Sequence, residues 1–166
     1  MAKKKNQKRN EALKQKSATE TLSFQTHWGL KNYYGEKGEK WASFAQAEVE
    51  QIAGLGLVQD ILAIKKFVDD IKSVFHIEPC ADLGDFCNSF VTLALGIGRH
   101  ADIDTMGFPV TWNEQIEKKI LKIFYPDEVR NTIFEWAKEN GYKATTYLGK
   151  PIVKFTKLFI LIDRTL

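Results

Sequence analysis

The sequence has little cysteine and no long uninterrupted apolar run, and both absences narrow the classes of protein to consider. Two of its 166 residues are cysteine, Cys80 and Cys87, so the disulfide framework of a small secreted domain is not expected. No stretch approaches the roughly 18 apolar residues of a membrane span, and no apolar segment of the signal-peptide type follows the basic N-terminus. We therefore expect a soluble, intracellular (cytoplasmic) protein.

A recognisable catalytic or nucleotide-binding signature is also missing. The two Gly-x-Gly pieces, at 54–56 and 96–98, do not extend to G-x-G-x-x-G, and neither follows a convincing strand. We expect a protein that is not an enzyme and that has no cofactor.

What the sequence does contain is an uneven distribution of charge. Residues 1–16 hold seven Lys and Arg against one acid, Glu11, a net +6, whereas the remaining 17 cations and 20 acids leave the rest of the chain at −3. The seven cations are Lys3, Lys4, Lys5, Lys8, Arg9, Lys14 and Lys16. Cations spaced by Asn and Gln suit sequence-independent contact with phosphates, so nucleic acid is the first partner to consider.

The chain is predicted to divide at residue 22. Residues 1–22 have few apolar side chains to offset the entropy of ordering, which predicts a flexible, disordered basic arm. The chain is 44% hydrophobic, enough for residues 23–166 to form a single globular domain with its own core.

Hydrophobic periodicity predicts an α+β, mostly helical domain with about five helices. The clearest pattern recurs at helical steps from Ile61 to Phe75. The other four helices are expected at about 40–53, 83–95, 112–124 and 127–140. Residues 142–148 and 152–162 are rich in β-branched and aromatic side chains around a Gly-Lys-Pro turn, which predicts a C-terminal β-hairpin.

Aromatic residues follow the arm directly. Residues 23–40 are expected to wrap irregularly onto the body. Within them Trp28, Tyr33 and Tyr34, beside Lys31, predict a surface on which unpaired bases stack, continuous with the basic arm. The simpler alternative is that these rings belong to the core.

Two histidines and two cysteines lie within 25 positions: His76, Cys80, Cys87 and His100. Such a set satisfies tetrahedral zinc, but the closely spaced ligand pairs typical of zinc sites are absent. Core cysteines are the default prediction, no metal ligand is assigned, and whether the four meet around a metal stays open. A small metal-dependent hydrolase would use this His76–His100 region. In the loop that follows, Asp102 and Asp104 beside His100 are of the type that holds a divalent cation or takes part in acid–base chemistry.

The leading hypothesis is a small non-enzymatic nucleic-acid-associated accessory protein of the virion or replication type. Its arm would bind the phosphate backbone non-specifically, while its acidic body contacts a protein partner. The alternatives are a protein-interaction inhibitor or adaptor of a larger nucleic-acid enzyme and, less favoured, the metal-dependent hydrolase. DNA or RNA, the partner's identity and the oligomeric state stay open.

Overall fold

The computed structural model describes residues 2–100, 102–105 and 112–164, which form seven α-helices, one 3-10 turn and four strands. The helices are α1 (Ala2–Tyr34), α2 (Glu36–Lys40), α3 (Ala42–Gly54), α4 (Val58–Phe75), α5 (Phe90–Ala94), α6 (Trp112–Lys118) and α7 (Asp127–Glu139), with the 3-10 turn at Ile103–Thr105. The strands are β1 (Ile120–Tyr125), β2 (Lys143–Tyr147), β3 (Lys150–Lys154) and β4 (Phe159–Arg164). Within the described residues, no helix combines the length and the apolar character needed to cross a bilayer.

The N-terminal segment is helical, so the prediction of a disordered arm over residues 1–22 is wrong. Helix α1 runs for 33 residues, about 50 Å at 1.5 Å per residue. Its first part, residues 2–17, is exposed, and its second part is docked on the body. The exposed part is rich in good helix formers (Ala, Leu, Lys, Arg, Gln). It also extends an already docked helix, so it avoids the cost of nucleating a new one.

The segment 23–40 is also regular, because α1 continues to Tyr34 and α2 follows after Gly35. The two helices lie against each other so closely that a Cβ added at Gly38 would fall 2.1 Å from the carbonyl oxygen of Leu30. Gly38 therefore allows α2 to pack closely against α1, and the prediction that this segment wraps irregularly onto the body is wrong.

Helix α1 is held on the body at Gly29. A Cβ added there would lie 1.9 Å from the carbonyl oxygen of Ala94 in α5, so only glycine fits this crossing. Beside it, Leu30 packs in a buried cluster with residues of α3, α5 and the 3-10 turn: Ala45, Phe90, Leu93, Ala94 and Ile103. The crossing fixes the direction in which the exposed part of α1 leaves the body.

The prediction of about five helices is also wrong in the middle of the chain. Only Phe90–Ala94 of the expected helix 83–95 is helical. The residues before it run along the outer edge of β1, where Cys80 N–H donates to Phe124 O at 2.8 Å and Asp85 N–H donates to Lys122 O at 3.1 Å. These contacts with β1 outweigh the helical periodicity of the segment.

The expected helix 112–124 is two elements. Helix α6 ends at Lys118, and Lys119 takes a left-handed conformation with φ of 62°. Strand β1 then begins at Ile120. The sequence ILKIFY of β1 is rich in isoleucine and aromatic residues, and such residues favour strands when a sheet is available to receive them.

The expected C-terminal hairpin is part of a larger, mixed sheet with strand order β1-β4-β3-β2. Strands β2 and β3 form the antiparallel pair, and β4 lies antiparallel to β3 and parallel to β1. The segment expected as one strand, 152–162, turns between β3 and β4. One face of the sheet packs into the main core with α4 and α7, through Leu121, Ile123, Tyr125, Val153, Ile160 and Ile162.

The turn between β3 and β4 is held by Asp60 in the first turn of α4. Its buried carboxylate accepts hydrogen bonds from the backbone N–H groups of Lys157 at 2.7 Å and Leu158 at 2.8 Å. This contact joins the helical half of the molecule to the sheet.

A second buried carboxylate, that of Glu48 in α3, joins three elements. It accepts hydrogen bonds from the Ser89 hydroxyl, from the N–H groups of Phe90 at 3.0 Å and Val91 at 3.2 Å, and from Trp112 Nε1 at 3.2 Å. Burial raises the pKa of Glu48, and the four hydrogen bonds lower it by less. Glu48 thus fixes the start of α5 and the start of α6.

Glu48→Gln is expected to lower the free energy of unfolding by about 2–3 kcal/mol, since an amide cannot accept from all four donors. Because the pKa of folded Glu48 lies above the unfolded value of about 4.3, folding takes up a proton between the two values. The wild-type advantage over Glu48→Gln should therefore shrink as pH rises through that window. Urea unfolding at several pH values measures both effects.

The control is Glu50→Gln, an exposed position on the same helix, expected within about 0.5 kcal/mol of wild type. Equal stabilities of the Glu48 and Glu50 variants would contradict the role given to Glu48.

Gly29→Ala is expected to cost at least about 2 kcal/mol, because the added methyl meets rigid backbone. Gly54→Ala is the matched control, since a Cβ at this helical glycine has no neighbour within 4 Å. Alanine there should stabilise α3 by up to about 1 kcal/mol. Thermal unfolding of both variants tests the crossing, and a neutral Gly29→Ala would refute it.

Candidate nucleic-acid interface

The seven N-terminal cations lie on the part of α1 that extends beyond the body. All seven are exposed, and Lys3 to Lys16 span about 20 Å of helix axis. At about 100° per residue, they form three rows around the helix: Lys4 and Lys8; Lys5, Arg9 and Lys16; and Lys3 and Lys14. The basic part of α1 therefore presents positive charge on every side.

None of these seven cations forms an ion pair with another described residue, whereas many cations of the body do. Nine body cations lie within 4.0 Å of a carboxylate: Lys31, Lys37, Lys40, Lys65, Lys66, Lys72, Arg99, Lys138 and Lys150. The body neutralises much of its own charge, and the basic part of α1 does not.

The spacing of these cations opposes the helix that carries them. Lys4 and Lys8, like Lys5 and Arg9, are like charges four residues apart, an arrangement that destabilises a helix. The first turn has no acidic residue, so the first lysines lie beside the positive end of the helix dipole. A bound polyanion would relieve both repulsions.

The helix divides the predicted stacking surface. Trp28 and Tyr33 are 56% and 58% exposed, but five helical steps separate their directions by about 140°. Tyr34 is half-buried, and its hydroxyl donates to His100 O at 3.3 Å. Lys31 lies 4.0 Å from Glu39. These residues do not share one face of α1.

Phe24 was not among the predicted site residues, yet it is 70% exposed. It precedes Trp28 by four residues, so the two rings are neighbours on one face of α1. The four-residue spacing of Phe24 and Trp28 is visible in the sequence, but it places the two rings on one face only if the segment is helical.

The two cysteines are ordinary thiols in the structure. Cys87 is buried, with its Sγ donating to Leu83 O at 2.9 Å, and Cys80 is half-buried. Burial raises the pKa of both thiols, so neither is an activated thiolate. His76 is the left-handed residue that ends α4. Across the described part of the chain, no group of three or more His, Cys, Asp or Glu is placed to hold a metal ion.

The acidic loop that suggested a hydrolase is attached to α2 by ion pairs. Lys37 Nζ lies 3.1 Å from Asp102 Oδ1, and Trp41 Nε1 donates to Asp104 Oδ1 at 2.8 Å. The ammonium of Lys37 lowers the pKa of Asp102. Residues 101 and 106–109 of this loop lie outside the described residues. The contacts give both carboxylates a structural role.

A cavity of about 450 Å³ lies between the C-terminal ends of α1 and α4 and the segment 96–100. Its charged lining includes Lys72, Glu78 and Arg99, and Glu78 lies 3.0 Å from Lys72 Nζ and 3.6 Å from Arg99 Nε. The hydrogen bond from Lys72 lowers the pKa of Glu78. Because the Glu78 carboxylate already pairs with both Lys72 and Arg99, this cavity is poorly suited to bind phosphate.

The chain matches no known protein family, no curated protein and no solved structure. The charge, exposure and pairing of its own residues are therefore the basis for any function proposed for it.

Proposed function

We propose that this protein is a non-enzymatic accessory protein of the virion or replication type that binds nucleic acid without sequence preference through the basic part of α1. The observation that carries the proposal is the set of seven exposed cations that form no ion pair with a described residue, on a segment of net charge +6. Each phosphate that such a cation neutralises releases counterions, which drives binding to any sequence.

The three rows of cations favour a groove over a flat surface. The major groove of B-DNA is about 12 Å wide and admits one α-helix. Inside it, cations on opposite sides of α1 reach both phosphate backbones. A membrane surface would instead require an apolar stripe, and side chains on every side of this segment are polar or charged.

The rest of the chain supports a division of labour. Its net charge is −3, so as a whole it attracts a polyanion far less than the basic part of α1 does, and it leaves surface for a protein partner. Phe24 and Trp28 favour the alternative in which protein interaction is the whole function, because exposed neighbouring aromatics are typical of interface anchors. In that case neutral variants of the basic part would leave partner binding intact.

Replacing Lys3, Lys4 and Lys5 by Gln should weaken binding to a labelled duplex tenfold or more at about 100 mM salt. It should also reduce the salt slope by about 3, since three phosphate contacts are lost. Replacing Lys65, Lys66 and Lys138, which are paired in the body, changes the net charge equally and should have little effect. Fluorescence anisotropy measures both, and equal loss in the two variants would contradict the proposal.

Ala12→Pro distinguishes the contribution of the helix to duplex affinity from the contribution of the charge, because proline breaks α1 within its basic part and leaves the net charge unchanged. Groove binding predicts a loss of duplex affinity of about tenfold, with Ala12→Ser close to wild type. Unchanged affinity in Ala12→Pro would refute groove insertion and leave charge as the sole requirement.

A further inference from the structure

The outer face of the sheet, opposite the main core, carries a second group of cations and aromatic rings. We infer that this face, defined by Lys122, Phe124, Lys143, Tyr147, Lys154 and Phe159, binds single-stranded nucleic acid. The inference rests on the proposed function in that both require nucleic acid as the ligand, but it uses none of the residues of α1.

The register of the strands places these residues on one face. Lys143 of β2 pairs with Lys154 of β3, which pairs with Phe159 of β4, so the three form a row across the sheet. Tyr147 lies four residues after Lys143 and therefore faces the same side.

Strand β1 extends this face. Lys122 and Phe124 alternate with Leu121, Ile123 and Tyr125, which point into the main core. The backbone N–H of Lys122 donates to Asp85 Oδ2 at 2.7 Å along the edge of the strand. Its exposed side chain belongs to the outer face.

Three lysines of this face have no carboxylate partner among the described residues. Lys122, Lys143 and Lys154 are exposed and form no ion pair with a described residue, whereas Lys150 lies 3.6 Å from Asp163 on the same face. Lys143 and Lys154 also stand directly opposite each other, and like charges in that position destabilise a sheet. The repulsion between Lys143 and Lys154 costs the fold stability, and a bound anionic chain would relieve it.

The rings select an unpaired strand as the occupant. Tyr147 is 48% exposed, Phe124 and Phe159 are half-buried, and Lys154 Nζ lies 5.9 Å from the centre of the Phe159 ring. Bases stack on such rings only when they are not paired within a duplex. The four strands span about 14 Å. The middle of the face is filled by the buried side chains of Ile152 and Leu161, beside the Lys150–Asp163 pair, so a few nucleotides fit across it with their phosphates at the lysines around this middle.

The test uses the full-length chain and two labelled probes, a mixed-sequence single strand of twelve nucleotides and a duplex of the same length. Replacing Lys122, Lys143 and Lys154 by Gln is expected to weaken single-strand binding about tenfold and duplex binding less than twofold. The control variant at Lys65, Lys66 and Lys138 should leave both unchanged. If the outer-face variant equals the control on the single strand, the inference is overturned.

The variant at Lys3, Lys4 and Lys5 separates this inference from the proposed function. Loss of duplex binding confined to that variant supports the role of α1, and it is expected whether or not the outer face binds a single strand. If that variant also loses single-strand binding while the outer-face variant keeps it, the role of α1 stands and the inference about the outer face is overturned. Loss of single-strand binding confined to the outer-face variant supports the inference, and unchanged duplex binding by the variant at Lys3, Lys4 and Lys5 would overturn the proposed function alone.

Ultraviolet crosslinking of the wild-type chain to the single strand gives a readout that does not depend on variant folding. Nucleotides attached to Tyr147, Phe124 or Phe159 support the inference, and crosslinks confined to α1 overturn it. Polyglutamate is the competitor for the other class of occupant: if it displaces the single strand from the outer face as well as unlabelled single strand does, the face is a site for acidic protein.

Discussion

A buried carboxylate, that of Glu48, is the interaction on which the arrangement of the helices depends. It accepts hydrogen bonds at the start of α5 and from Trp112 at the start of α6, which leads into the sheet. Helix α5 in turn receives α1 at Gly29. Removal of one hydrogen-bonded carboxylate would leave several buried donors unpaired, and it would loosen the contact that directs the basic part of α1 away from the body.

Charge pairing is the property that separates the basic part of α1 from the body. The body cations that lie beside carboxylates include Lys37 at Asp102 and Lys72 at Glu78, and they stabilise local structure. The N-terminal cations stand on a helix whose own spacing sets like charges against each other. The outer face of the sheet repeats this pattern on a smaller scale, with Lys143 opposite Lys154. In both places charge is arranged at a cost to the fold, which is the physical basis for expecting an anionic ligand.

Local sequence patterns predicted some elements well and others poorly. The periodicity from Ile61 to Phe75 matches α4, because an amphipathic helix on a core is specified by its own residues. Helix α1 and strand β1 were mispredicted because contacts distant in sequence decide them: α1 is docked by Gly29 on α5, and β1 pairs with β4. The cations of the candidate site were identified from the sequence alone. The separation of Trp28 from Tyr33 was not, since their directions depend on the helical state of a segment expected to be irregular.

The salt dependence of duplex binding by the wild-type protein tests most directly whether the cations of α1, which form no ion pair with a described residue, bind phosphate. Each phosphate neutralised contributes about −0.9 to the slope of log affinity against log salt concentration, so seven cations allow a slope near −6. A measured slope steeper than about −3 is the expected result. A slope near zero, or no binding at about 50 mM salt where phosphate contacts are strong, would contradict the account.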